Sequence, residues 1–268
     1  VNNGTPDAWK DFWLNEDAES YYFVGKDNVP FHAIIWPAML LAYGDLNLPT
    51  NVPANQYILI KGEKASASRG VGKTLNDYLD EWNPDSLRYA LASILPEQND
   101  SEISEDEMIR RNNEELVAAW GNLVQRVFSQ YINNFENLKF DFELNDVDRK
   151  IIDEANVCFE KTSELIEKVE LKSSLQSVMG YVNKINAYLN ETEPWKVIKE
   201  DITRATAILY TSLTAIEACA SLFTPFMPTT SEIVKNAIEK NTNNNWSVND
   251  IKKGAPLQDI GHLFKKFD

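Results

Sequence analysis

The chain has 268 residues, a formal net charge of −15 and 43% hydrophobic residues. This length allows one large domain or two ordinary ones, and the apolar fraction is that of a globular protein, which excludes a disordered chain. The segments before and after Leu95 are both acidic. A broad basic face for non-specific nucleic-acid binding is therefore excluded, whereas a small RNA contact on one helix is compatible with the charge.

Neither a leader nor a membrane span is expected. The first residues, VNNGTPDAWKDFW, lack a basic segment and an apolar core, and their start without methionine suggests a piece of a longer protein. The most apolar run, from Ala33, is short and interrupted by Pro37. Cys158 and Cys219 have neither CxxC spacing nor a nearby histidine, so we expect buried free thiols, a reducing cytoplasmic compartment and no metal site.

The segment up to about Leu95 alternates strand and helix signals. SYYFVG (20–25) and QYILIKG (56–62) are short β-branched and aromatic runs that end at glycine, so both predict strands. The helix predicted between them is capped by Asp27 or Asn28 and kinked at Pro37. Strand–helix–strand order is typical of an α/β sheet.

From Ser101 onward the strand signals disappear, and the sequence predicts an antiparallel helical bundle. Asn83-Pro84 has already begun one helix, and the capping box Ser104–Glu107 opens a long helix to Tyr131. Further helices are predicted over 146–169, 171–189 and 201–223, then a short one capped by Thr229 and Glu232, a loop over 241–247 and an ambiguous tail.

The stretch SASRGVGKT (66–74) ends like a nucleotide-binding P-loop. A P-loop requires a glycine followed by four residues before its Gly-Lys-Thr, because backbone N–H groups must wrap the phosphates. The required position holds Ala67. The P-loop interpretation is therefore discarded.

Three further patterns leave two interpretations open. Asn122 and Arg126 fall on the side of the long helix opposite its apolar stripe. This side is either an ordinary solvated face or a binding face on which an amide and a cation contact one unstacked base. Trp195, after Glu193-Pro194, is a core plug or a base-stacking platform. His32, near Asp27, Phe31 and Trp36, is a core histidine or part of a small-ligand pocket.

A family resemblance bears on these alternatives. FVGKDNVPFHAIIWPAMLLA (23–42) resembles the methionine-pocket segment of the methionyl-tRNA synthetases, which are class I aminoacyl-tRNA synthetases. The resemblance continues through GEKASASRGVG, DYLDEWNPDSLRYAL, Trp120 to Arg126 and Glu193 to Trp195. It implies a mostly α chain: the end of an α/β Rossmann-like catalytic domain (1–95), an α-helical anticodon-binding bundle (96–240) and a tail that packs back on the body (241–268).

The resemblance also implies roles for individual residues. Lys64–Arg69 occupies the place of the family's Lys-Met-Ser-Lys-Ser signature, a loop that clamps ATP. The implied partners are methionine, ATP with Mg²⁺ and tRNA(Met) with its CAU anticodon, and no membrane. The implied site residues are Lys64, Ser66, Ser68 and Arg69 in the ATP loop, Asp27, Phe31, His32 and Trp36 at the methionine pocket, and Asn122, Arg126 and Trp195 at the anticodon.

Two departures from the family pattern matter. The loop's second lysine is Ala67 and its usual methionine is Ala65, so activity is reduced, Lys61 or Lys73 substitutes, or the loop was altered. The family's first half, with its His-Ile-Gly-His motif and any zinc knuckle, is absent, so this chain alone is expected to be inactive. The resemblance implies the C-terminal half of a methionine–tRNA ligase; the alternative is a non-catalytic, synthetase-like tRNA-binding protein.

Overall fold

The computed structural model describes residues 5–64, 70–241 and 246–268. Contacts between residues divide the chain into two units, one formed by Val1–Gly72 with Leu95–Ile103 and the other by Lys73–Ile94 with Ser104–Asp268. The first unit mixes short strands with helix and the second is helical, which confirms the mostly α fold class. The functional boundaries near 95 and 240 stay a prediction; the helix that begins at Pro84 belongs to the helical unit.

The first unit contains two small sheets. The strands are β1 (Val24–Gly25), β2 (Ala54–Asn55), β3 (Ile58–Ile60), β4 (Glu63–Lys64) and β5 (Ser101–Glu102), and the helices are α1 (Lys10–Trp13) and α2 (Trp36–Tyr43). β1 and β2 pair in parallel, while β3 pairs antiparallel with β4 and parallel with β5.

The structure corrects several details predicted for this unit. The two predicted strands are shorter than expected and lie in separate sheets, and the parallel strand β5 was not predicted because its two residues are too few to show a strand pattern. Neither Asp27 nor Asn28 caps a helix, since 26–28 forms a 3₁₀ turn. A π-helical turn, Phe31–Ile35, precedes Pro37, which lacks the N–H that a regular helix needs there.

The second unit is a helical bundle. Its helices are α3 (Leu75–Glu81), α4 (Pro84–Ser93), α5 (Glu105–Arg111), α6 (Asn122–Asn134), α7 (Asp146–Glu167), α8 (Leu171–Thr192), α9 (Pro194–Val197), α10 (Ile202–Phe223) and α11 (Pro228–Ala237), with a 3₁₀ turn at Phe135–Asn137. The helices α7, α8 and α10 pack against one another. One continuous helical stretch runs through α5, a π-helical segment (Asn112–Gly121) and α6, as the sequence predicted for 104–131.

The predicted caps are only partly correct. Asn83 caps α4 as predicted, since its side-chain oxygen accepts from the Asp85 N–H at 2.9 Å. The Ser104 hydroxyl accepts from the Glu107 N–H at 3.4 Å, but the Glu107 carboxylate pairs with Arg110 and Arg111 instead of closing the box. The caps predicted for α11 are wrong: it begins after Met227 without a side-chain cap.

Helix α10 forms the centre of the core. By length and composition it could cross a membrane, but nearly all of its most apolar part is buried within the protein. Its position therefore identifies it as a core helix. Cys219 on α10 and Cys158 on α7 are buried free thiols, as predicted, and burial raises the pKa of both.

The segment after 246 packs along the helical unit. The Tyr131 hydroxyl donates to the Ala255 carbonyl at 2.8 Å, and the Asn112 amide donates to the Lys265 carbonyl at 2.9 Å. The Phe267 ring lies 4.3 Å from the Trp82 ring. These side chains satisfy backbone groups of a segment that forms no helix, which fixes its path over the bundle.

A buried charge network joins α7, α8 and α10. The Asp148 carboxylate is fully buried and accepts hydrogen bonds from the Tyr188 hydroxyl at 2.6 Å and from Arg204, whose Nη2 lies 2.9 Å from Oδ1. Burial would raise the pKa of Asp148, but the hydrogen bonds from Arg204, Tyr188 and the Asn145 backbone outweigh it and hold that pKa below its ordinary value.

Replacing Arg204 by alanine is expected to lower the free energy of unfolding by about 3–5 kcal/mol at pH 7, because a buried carboxylate then lacks its cation. A lowered pKa contributes stability that is complete above the unfolded-state pKa and is lost as the pH falls through the folded-state pKa. The difference from wild type should therefore shrink below about pH 4. Urea unfolding of both proteins, at pH 7 and below about pH 4, measures this difference in the free energy of unfolding.

The matched control is Arg149→Ala. The Arg149 ion pair with Asp146 spans 3.9 Å between exposed side chains, so its loss should cost about 1 kcal/mol or less. Equal destabilisation by the two variants would contradict a special role for the buried network.

Candidate functional site

The outer face of α6 carries two of the predicted site residues. The predicted apolar stripe is confirmed, because all six of its side chains are buried. Asn122 is exposed and Arg126 is half-buried, one turn apart on the other face. The stripe consists of Trp120, Leu123, Val124, Val127, Phe128 and Tyr131.

Trp195 is presented beside this face by the end of α8. The helix stops at Thr192, Glu193 adopts a left-handed conformation with φ of 41°, and Pro194 then occupies the first position of α9. The left-handed residue ends α8, and the proline directly after it begins α9. Trp195 is half-buried, and the Arg126 guanidinium lies 5.1 Å from its ring centroid. Two residues far apart in sequence thus meet in a cation–π pair.

Asn122, Arg126 and Trp195 line one pocket of about 430 Å³. Its apolar floor combines buried residues of three helices, Val127, Leu189 and Leu209. Sequence reasoning did not identify three polar residues in its wall, although Gln130 lies one turn beyond Arg126, at the spacing that singled out Asn122. Those three residues are Gln125, Ser129 and Gln130.

Arg126 supplies the positive charge of this pocket. Its Nη2 donates to the Asn190 side-chain oxygen at 3.2 Å, and it forms no ion pair within the described part of the chain. Arg110, Arg111 and Arg204 are instead paired with carboxylates. A guanidinium has five N–H donors, so Arg126 retains donors for a ligand.

A second pocket, of about 300 Å³, lies in the first unit and brings together Phe31, His32 and Trp36. His32 Nδ1 donates to the Asn28 carbonyl at 3.1 Å, and the Trp36 indole donates to the Tyr22 hydroxyl at 3.2 Å. Phe31 is 56% exposed. The pocket is therefore an open, largely aromatic surface with fixed polar groups, suited to an apolar side chain.

Asp27 does not line this pocket and instead pairs with Lys64. The Lys64 ammonium lies 3.2 Å from the Asp27 carboxylate and 3.8 Å from the Tyr57 ring centroid. Lys26 also lies over the Tyr57 ring, at 4.1 Å, and pairs with Asp100 at 2.6 Å. The hydrogen bond from Lys64 holds the pKa of Asp27 below its ordinary value.

The rest of the predicted ATP loop, including Ser66, Ser68 and Arg69, lies outside the described residues. Of the two lysines considered as substitutes for the missing one, Lys73 is engaged by Glu105 at 2.9 Å and by Glu81 at 3.2 Å. Lys61 is exposed.

Among residues 5–64, 70–241 and 246–268, no cluster of three or more histidine, cysteine or acidic side chains could hold a metal ion. The two pockets are lined mainly by aromatic, amide and apolar side chains, together with the Arg126 guanidinium in the first of them.

Two family models match the parts of the chain that form most of the two pockets. The sequence model of "tRNA synthetases class I (M)" matches residues 1–128, and that of "Anticodon binding domain of methionyl tRNA ligase" matches residues 141–268. The chain belongs to the methionyl-tRNA synthetase family. Asn122 and Arg126 of the α6 pocket lie in the first match and Trp195 lies in the second, while the aromatic pocket lies within the first match.

Individual relatives agree with this assignment. The chain is 40% identical to a methionine–tRNA ligase of Chloroflexus aggregans over 86% of its own length and 41% of the relative's. It is 36% identical to that of Corynebacterium glutamicum over 97% of its length and 45% of the relative's. The chain thus spans less than half the length of these synthetases.

A solved structure supports the fold. Mycobacterium tuberculosis methionyl-tRNA synthetase bound by methionyl-adenylate superposes with a TM-score of 0.82, over 93% of this chain and 50% of that one. Because the two sequences are only 22% identical, this likeness shows the fold of the chain and nothing further.

Replacing Lys64 by methionine is expected to raise the pKa of Asp27 towards its ordinary value, because the carboxylate loses its main hydrogen-bond donor. Carboxyl-detected NMR titration measures this pKa directly. Lys61→Met is the control, since exposed Lys61 forms no ion pair in the described residues and should leave Asp27 unchanged. An identical Asp27 titration in wild type and Lys64→Met would show that the pair does not persist in solution.

Proposed function

We propose that this chain is part of a cytoplasmic methionine–tRNA ligase, which activates methionine with ATP and transfers it to tRNA(Met). Residues 1–95 would supply part of the methionine pocket and the ATP loop, residues 96–240 the anticodon-binding bundle, and residues 241–268 a tail that packs on the body. The carrying observation is that Asn122, Arg126 and Trp195 line a single pocket in a family whose model includes an anticodon-binding domain.

The chemistry of this pocket suits an unstacked base of the CAU anticodon. Loop bases that are splayed out of the stack are recognised by aromatic stacking and by hydrogen bonds to their edges. Trp195 offers the stacking surface, Arg126 offers cationic donors, and Asn122 offers both a donor and an acceptor. An unpaired arginine also gives the acidic chain one local contact for RNA without a basic face.

Trp195→Ala and Arg126→Ala should each weaken binding of an RNA hairpin with a CAU loop by about tenfold or more, since base stacking is worth about 1–3 kcal/mol. Fluorescence anisotropy of the labelled hairpin with the full chain measures this. Arg149→Ala, an exposed arginine outside the pocket, is the control and should bind like wild type. Equal binding of wild type and both pocket variants to CAU and scrambled loops would contradict anticodon recognition.

The catalytic proposal rests on the other unit. Methionyl-adenylate is bound by the similar Mycobacterium tuberculosis enzyme, which supports ATP as the co-substrate here. Mg²⁺ would accompany the ATP. The methionine carboxylate would attack the α-phosphorus of ATP and expel pyrophosphate. Lys64, with Ser66, Ser68 and Arg69, would stabilise the charge that develops on the phosphates. Phe31, His32 and Trp36 would enclose the methionine side chain, and Asp27 would orient Lys64.

The alternative is a synthetase-like protein that binds tRNA but has lost activation. Ala67 favours it, because the loop lacks the second lysine that the family usually carries. The engagement of Lys73 by Glu81 and Glu105 also counts against that lysine as a replacement. Any zinc would belong to the portion of the synthetase that this chain does not span.

Methionine-dependent ATP–pyrophosphate exchange by the complete enzyme separates the two. Restoring the cation with Ala67→Lys is expected to raise exchange by about tenfold or more, because an oriented cation stabilises the departing pyrophosphate. Strong exchange that Ala67→Lys leaves unchanged would show that another group already performs this role. No exchange in either protein would favour the tRNA-binding alternative.

A further inference from the structure

Gln130 extends the polar wall of the α6 pocket by one helical turn. Asn122, Arg126 and Gln130 are spaced at i, i+4 and i+8, and all three line the same cavity. Residues four apart on a helix lie on one face and are separated by about 6 Å along its axis. The wall is therefore a row of amide, guanidinium and amide groups, of which the outer two flank Arg126.

The Gln130 amide is available, unlike its neighbour in the same wall. The Gln125 amide donates to the Ser129 hydroxyl at 3.2 Å. Within the described part of the chain, the side-chain amide of Gln130 forms no hydrogen bond, and only its backbone carbonyl is engaged, by Asn134 at 2.8 Å. Gln130 is only half-buried, so its side-chain amide is accessible to a ligand.

We propose that Gln130 is a specificity residue that reads the central adenine of the anticodon, an inference that rests on the proposed anticodon function. Adenine is the central base of CAU and is therefore next to both outer bases. If Trp195 and Arg126 hold either outer base, the neighbouring base is adenine. Adjacent bases that are splayed apart lie farther from each other than the about 3.4 Å of a stacked strand, so the next group along the wall reaches the second base.

The chemistry of the amide matches adenine. A glutamine side chain accepts a hydrogen bond from the adenine N6 amine through Oε1 and donates one to N7 through Nε2. Guanine presents an acceptor at position 6, so only one of these two bonds can form with it. Gln130 thus selects adenine by two complementary bonds, whereas Arg126 supplies charge and Trp195 supplies stacking.

The test combines Gln130→Ala with removal of one base atom. Binding of the full chain is measured for two RNA hairpins, one with a CAU loop and one in which the central base is 7-deazaadenine, which lacks the N7 acceptor. Wild type should bind the modified hairpin about five- to tenfold more weakly. The Gln130→Ala variant should bind both hairpins equally, because the donor to N7 is already gone. A variant that merely disturbed the fold would still distinguish them.

Gln176→Ala is the matched control, because Gln176 is an exposed glutamine on α8 outside this pocket. It should show the same N7 penalty as wild type. A penalty retained in Gln130→Ala, or absent in wild type, would overturn the role of Gln130. The role of the pocket is tested separately: if Arg126→Ala and Trp195→Ala leave CAU binding unchanged, the proposed anticodon function itself fails.

Discussion

The helical unit depends on one helix, α10, that has almost no surface exposed to solvent. Such a helix must satisfy its polar groups internally. The hydroxyls of Thr206, Ser212 and Thr214 donate to carbonyls one turn back, at 2.7, 2.8 and 3.0 Å. Buried Glu217 is held by Lys240 at 2.9 Å and by the Asn249 amide at 3.0 Å. The segment that follows α11 therefore supplies the groups that compensate the buried charge of Glu217.

The candidate base pocket rests on this arrangement. Its floor is where α6, α8 and α10 meet, at Val127, Leu189 and Leu209, each of which is 2% exposed or less. Buried side chains of this kind have defined rotamers and do not move independently. The two groups that would contact a base directly, Arg126 and Trp195, are thus carried by rigid elements, and their mutual distance is set by packing between helices.

Sequence patterns predicted the long helices, such as α7, α8 and α10, and the buried stripe over 120–131, because both follow from 3.6-residue periodicity over many residues. They did not predict β5, a strand of two residues, nor the separation of the strands into two sheets, since pairing is decided by contacts distant in sequence. The capping box at Ser104 is half formed because the Glu107 carboxylate pairs with Arg110 and Arg111 instead of the backbone N–H of Ser104. The capping pattern in the sequence does not show which of these partners the carboxylate takes. Gln130 had the right spacing, but periodicity alone does not distinguish a pocket wall from a solvated face.

The charge balance of the chain explains why the site takes this form. A net charge of −15 repels RNA at long range, so affinity cannot come from many phosphate contacts. It has to come from stacking and from hydrogen bonds to base edges, which act at short range and carry sequence information. Among the described residues, ion pairs engage Arg110, Arg111, Arg149 and Arg204. Arg126, which lies over the Trp195 ring, is instead hydrogen-bonded to a neutral amide, Asn190. That choice keeps its positive charge available at the pocket while still fixing its orientation.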